Sequence, residues 1–154
     1  MLYEGLENFK SYLEGTDFYK NFYGAGICYE GDYLGRHFAI CRNEFGEPTA
    51  YVEILDNDYI AKEAKKGLYK DPYDIYEGDV HGEMTYYGSA WWDKSDKKTY
   101  LGWDYGHCYD YKPARGKWPA EDGYKWRPVE VLLEIARVMV QIEMQNSQHE
   151  NDKN

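Results

Sequence analysis

A chain of 154 residues sets the scale of one domain, long enough to bury a core without disulfide or metal staples. Its net charge of −10 argues against a DNA- or RNA-binding module, because non-specific nucleic-acid affinity comes from phosphate neutralisation by Lys and Arg. No apolar run approaches the roughly 18 to 20 residues that span a bilayer, and "MLYEGLENFKSYLEG" lacks the basic start and apolar core of a secretory signal, so no membrane association is expected and the location is expected to be cytoplasmic.

Residues 2 to 13 place Leu2, Leu6, Phe9 and Leu13 at helical spacing, which predicts a short N-terminal amphipathic helix. The Gly- and Tyr-rich stretch that follows, up to Arg36, reads as irregular. "RHFAICRN" (36 to 43) and "TAYVEIL" (49 to 55) have strand character and flank the turn "EFGEP", which predicts a β-hairpin. A short helix is expected around 58 to 66. "VHGEMTYYGSA" and "KTYLGWDYGH" are two further strand candidates, joined through "WWDKSDK". "YKPARGKWPAEDG" is a Pro- and Gly-bearing loop.

The last element is the clearest. "RPVEVLLEIARVMVQIEMQ" has Pro128 at the first helical position and Glu130 in the first turn. It carries two apolar rows, Val129, Leu132, Leu133, Ala136, Met139, Val140 and Val131, Ile135, Val138, Ile142. That is broader than the single stripe of a surface helix. One row is expected on the sheet, the other under the N-terminal helix or another subunit. The expected class is α+β, an antiparallel sheet packed by a long C-terminal helix. Residues 1–146 form the expected domain and 147–154 a disordered polar tail.

Three kinds of chemistry can be weighed. His81, Glu83, Asp104, His107 and Asp110 are residue types that ligate metals. However, 104, 107 and 110 do not alternate on one strand face, and no HxH or HExxH pattern exists, so no metal and no cofactor are expected. Ser89, Thr85 and Cys108 are candidate nucleophiles beside His107, but there is no GxSxG elbow, and in a strand Cys108 points away from His107. Cys28, Cys41 and Cys108 are odd in number and widely spaced, which fits reduced thiols and no disulfide framework. The third reading is aromatic. Tyr86, Tyr87, Trp91, Trp92, Trp103, Tyr105, Tyr109 and Tyr111 crowd one stretch. They form either a platform for flat ligands or a core and subunit interface. In a strand, Trp91 and Trp92 cannot both face the core.

"DVHGEMTYYG", "YLGWDYGHCYD" and "YKWRPVEVLLEIARVMVQIEMQ" resemble a group of small phage proteins with the pattern VHGG(I/L)TY, a tryptophan, GFDCAHxGD and a C-terminal helix. The resemblance covers about residues 34 to 145, and "GRHFAICRNEFGEPTAYVEI" is similar to that group's N-terminal hairpin. His81, Thr85, Tyr86, Gly102, Asp104, His107 and Asp110 are retained. Glu83 replaces the second glycine of HGG, and Tyr105, Gly106 and Tyr109 replace a cysteine, an alanine and a glycine.

The resemblance implies a phage protein that counters host defence in the cytoplasm of an infected bacterium. By analogy with small oligomeric sponges, the expected activity is non-catalytic sequestration of a cyclic dinucleotide signal. Bases would stack on Tyr86, Trp91 or Trp103. Phosphates would meet Arg36, Arg42 or His81, and Thr85, Asp104 and His107 would bond base edges or ribose. A homo-oligomer, dimer or tetramer, would build the pockets. Two alternatives stand beside it. One is an acidic inhibitor of a host defence protein. The other is a nucleotide or phosphoester hydrolase centred on His81, Asp104, His107 and Asp110.

Overall fold

Phe38, Ile40, Ala50, Val52, Leu101 and Trp103 recur at every second position of three segments, and all are buried. That period puts them on one face of a sheet. The computed structural model describes residues 29–43, 47–107, 109–110 and 123–152. Its strands are β1 (Tyr29–Tyr33), β2 (Arg36–Arg42), β3 (Pro48–Ile54), β4 (Tyr86–Ser89) and β5 (Thr99–Asp104). Between β3 and β4 come helix α1 (Tyr59–Lys65) and a 3₁₀ turn (Pro72–Ile75), and helix α2 (Pro128–Asp152) closes the chain. The sheet is antiparallel throughout, in the order β1-β2-β3-β5-β4. The class is α+β, with the expected hairpin formed by β2 and β3. The predicted helix at residues 2 to 13 falls outside the described residues.

One face of the sheet carries the core. Both apolar rows of α2 enter it, with Val131, Leu132, Ile135, Val138, Met139 and Ile142 packed among the residues named above. The second row therefore needs no other subunit to cover it, and only Leu133 and Met144 stand out as exposed apolar side chains of this helix. The start of α2 is fixed by Glu130, whose Oε1 accepts the Arg127 backbone N–H at 2.9 Å, half of a capping box.

The helix also runs further than its sequence suggests. Residues 147 to 152, expected as a disordered tail, are helical. Tertiary contacts override their polar composition. The His149 ring stacks on Tyr59 at 3.6 Å and bonds Glu77 at 3.3 Å. One turn earlier, buried Gln145 donates to the Ile75 carbonyl at 2.9 Å and accepts from the Glu77 N–H at 3.2 Å.

The opposite face is covered differently. Ala39, Cys41, Tyr51, Ala90 and Tyr100 are buried there, with Tyr86 and Trp92 against them. The β4–β5 connection folds back over this face. The Trp92 ring lies 4.5 Å from Tyr51 and 4.9 Å from Tyr100, and its indole N–H reaches Glu30 on the far edge strand at 3.0 Å. Trp91 is 49% exposed, and its indole donates to the Tyr51 hydroxyl at 2.7 Å. Neither tryptophan lies in a strand.

A buried ion pair joins the layers. The Arg36 guanidinium grips both oxygens of Asp58, at 2.6 and 2.8 Å, and reaches Glu143 of α2 at 2.6 Å. It also donates to the Glu53 carbonyl at 3.1 Å. Asp58 precedes α1 and accepts in addition from the Leu55 N–H and from Asn146 of α2. Burial works against ionisation of Asp58, but these donors outweigh it and hold its carboxyl below the ordinary range. Removing one partner of such a pair strands the other charge, which costs about 3–5 kcal/mol. Arg36→Leu is therefore expected to lose about that much in urea unfolding. Glu143→Gln, at the exposed end of the network, should lose no more than about 1 kcal/mol.

Candidate functional site

Two clusters gather the residues singled out by sequence. The first lies on the strapped face. Gly102 stands opposite Tyr51 on one side and Tyr86 on the other. A Cβ at Gly102 would sit 2.6 Å from the Tyr51 ring, so the bare backbone is what lets that ring lie across β5. Tyr51 then meets Tyr86 edge-on at 5.3 Å and Trp91 at 6.2 Å. Beside these rings opens a recess of about 320 Å³, lined by Tyr51, Tyr86, Thr85, Asp104, Thr49, Asn43 and Glu47, with Trp103 beneath.

Two of its polar groups, Asp104 and Glu47, are carboxylates. Asp104 Oδ1 takes the Gly106 N–H at 3.0 Å, and Oδ2 faces the Thr85 hydroxyl at 3.4 Å. Glu47 is buried, with Oε1 accepting from the Asn43 amide at 3.0 Å. An ionised carboxylate only accepts. Aromatic walls beside two carboxylates suit a flat ligand that presents N–H donors.

The second cluster is centred on Asp110. Its carboxylate is fully buried and takes four donors: His81 Nε2 at 2.9 Å, His107 Nδ1 at 3.0 Å, the His107 backbone N–H at 2.9 Å and the Trp126 indole at 2.7 Å. The His81 ring is stacked on Tyr105 at 4.7 Å, and its backbone N–H is held by Glu134 at 2.8 Å. Gly82 has φ +68, and a Cβ there would lie 2.4 Å from the His107 ring. Gly82 thus has two reasons to be glycine, a left-handed backbone and a close approach. Glu83, at the second motif glycine, is simply exposed.

Of the nine expected ligand contacts, Thr85, Tyr86 and Asp104 line the recess, and Trp91 flanks it through Tyr51. Trp103 underlies it, but its ring belongs to the core, with the indole on the Tyr105 hydroxyl at 3.1 Å. His81 and His107 meet at Asp110 instead. Asp104 ends β5 and bonds Gly106 and Thr85, whereas the His107 ring faces Asp110, whose backbone N–H donates to the His107 carbonyl at 2.9 Å. Strand alternation is therefore the wrong rule for that stretch. Arg36 is corrected as a phosphate contact: its guanidinium is buried on Asp58 and Glu143. Arg42 lies at the end of β2 opposite Pro48, next in the chain to Asn43 of the recess, but does not itself line it. Cys108 lies outside the described residues, and Cys41 is buried.

Sequence reasoning missed Tyr51, Glu47, Asn43, Gly82 and Trp126. The pairing of Tyr51 with Gly102 follows from strand register, which no local pattern specifies. Compared with known proteins, the chain matches no family model, no curated protein and no solved structure.

Two predictions follow from the Asp110 cluster. Burial opposes ionisation, but hydrogen bonds from His81, Trp126 and the His107 backbone prevail and hold Asp110 at about 2, below the ordinary 3.8. Its stabilisation is then complete above about pH 4 and is lost as the pH falls through about 2. Unfolding free energy should drop by about 2 kcal/mol across that window, and Asp110→Asn should flatten this part of the curve. Gly82→Ala is expected to cost at least the roughly 1–2 kcal/mol of a left-handed Cβ residue, plus displacement of His107, read as a lowered melting temperature and shifted His107 ring resonances.

Proposed function

We propose that the protein is a non-catalytic binding protein that takes a base of a cyclic dinucleotide into the recess beside Tyr51 and Tyr86. The observation that carries this reading is the meeting of Tyr86, Thr85 and Asp104 in one recess with Tyr51 as a second aromatic wall. Tyr86 supplies a stacking face, and Asp104 and Glu47 accept from amino and imino N–H groups of the base edge. At about 320 Å³ the recess lies near the lower end of ligand pockets, which run from about 300 to 1,000 Å³. That volume suits one base with part of its sugar. Both bases of a cyclic dinucleotide would then be taken by two copies, a homo-dimer around the ligand.

In this reading the base is recognised rather than the phosphates. Arg36 is spent on Asp58 and Glu143, and the net charge of −10 opposes an anion. Salt screens that repulsion, so binding should hold or tighten as salt rises, the reverse of phosphate-driven recognition. The resemblance to small phage proteins supports the biological role: sequestering a defence signal in an infected bacterial cell.

The acidic surface also favours a second reading, an inhibitor that occupies a basic groove on a host defence protein. That complex would weaken steeply with salt.

Calorimetric titration with cyclic dinucleotides bearing guanine, adenine or uracil tests the first reading. A saturable isotherm at one ligand per two chains is expected, with the nucleotide recovered intact after denaturation. Base stacking is worth about 1–3 kcal/mol, so Tyr86→Ala should weaken binding about fivefold to a hundredfold. Absence of binding to every cyclic dinucleotide would overturn the proposal, and turnover of the ligand would replace it with the hydrolase reading.

A further inference from the structure

We infer that His81, His107 and Asp110 form a binding site for one divalent first-row transition-metal ion, with the donor preference of zinc. This site is separate from the aromatic recess and does not rest on the nucleotide reading.

Charge is the first reason. Asp110 is a fully buried carboxylate. Buried charges are paired or coordinate metals. Its partners are two imidazoles, an indole and a backbone N–H. None of these is a Lys or Arg, so no permanent cation faces the carboxylate among its bonded partners. A divalent ion supplies that charge.

Spacing is the second. An ion about 2.0–2.2 Å from each nitrogen or oxygen donor sets neighbouring donors about 2.8–3.6 Å apart, for bond angles between about 90° and 109°. Asp110 Oδ2 lies 2.9 Å from His81 Nε2 and 3.0 Å from His107 Nδ1. The three donor atoms lie within 4.8 Å of one another. Two imidazoles and one carboxylate are the donor set of catalytic zinc sites and of non-haem iron sites.

The surrounding groups are the third. Ligands of metals are oriented by outer hydrogen bonds. Here the Trp126 indole donates to Asp110 Oδ1, which His81 Nε2 also approaches at 3.0 Å, while Oδ2 faces both histidines, and Glu134 anchors the His81 backbone. Gly82 lets the His107 ring come in over the backbone. Access is open on one side: the His107 side chain is 27% exposed, and the exposed Tyr109 ring stacks on it at 5.6 Å. Such a site holds three protein donors and leaves a position for water. A neutral imidazole ligates through its unprotonated nitrogen, so in the loaded site each ring would carry its proton on the nitrogen turned away from the ion.

The test uses the full chain, stripped with chelator and titrated with Zn²⁺ and with Co²⁺ as a spectroscopic substitute. One equivalent per chain should remain after dialysis, by elemental analysis, and Co²⁺ should give visible absorption. The four histidines provide an internal control in the unmutated protein. Co²⁺ should shift the ring resonances of His81 and His107 and leave those of His37 and His149 in place. His81→Ala and His107→Ala should retain less than a tenth of the metal, while His37→Ala, in the separate Glu30–His37–Asp96 cluster, retains it. No stoichiometric metal in the unmutated chain, or shifts centred on His37 or His149, would overturn the inference. So would undiminished metal in the two variants. Should those variants fail to fold, the resonance test decides alone.

Discussion

The bidentate pair of Arg36 and Asp58 is the contact on which the arrangement of layers depends. It joins the first residue of β2 to the entrance of α1 and, through Glu143 and Asn146, to the last turns of α2. These elements are far apart in sequence. Hydrophobic burial holds α2 on the sheet but is not directional. The ion pair supplies direction, fixing where along the sheet the helix stops sliding. A charge so deeply buried is tolerated only because nearly every polar atom of the pair is bonded.

The periodic elements were legible in the sequence. β2, β3 and α2 fall where alternation or helical spacing put them, because each turns regularly spaced apolar side chains into the core, and α1 falls within the short helix expected around 58 to 66. β1 was not legible. "YEGDY" has no apolar alternation, and it becomes a strand by pairing with β2 through a two-residue turn. That turn places Leu34 at φ 52 and Gly35 at φ 76, a hairpin geometry that normally advertises itself with Asn-Gly. The strand expected from Val80 begins only at Tyr86. His81 is drawn instead towards Asp110, and the left-handed Gly82 ends any extended run. The site was half legible for the same reason. Thr85, Tyr86 and Asp104 come together because β4 and β5 pair locally. Tyr51 and Trp126 reach their clusters from other parts of the fold, and no spacing along the chain encodes that.

The motif glycines and histidines separate into two jobs. Gly102 gives space to an aromatic ring on one face of the sheet, and Gly82 gives space to an imidazole at the end of β5. The bare backbone in each case admits a ring rather than a phosphate. That distinction matters for reading such motifs: a glycine beside a histidine signals close packing here, and the replacement of the next glycine by exposed Glu83 leaves the packing intact.

The ends of the sheet set a limit on how copies can meet. β4 is only four residues long, and β1 carries Glu30 and Asp32 on exposed positions. Short and charged edges discourage one sheet from continuing into another. Among the described strands, neither margin offers a long apolar row to template a neighbour. Were copies of this chain to meet, the described strands would turn them away from edge-to-edge growth, the route by which sheets extend into fibres.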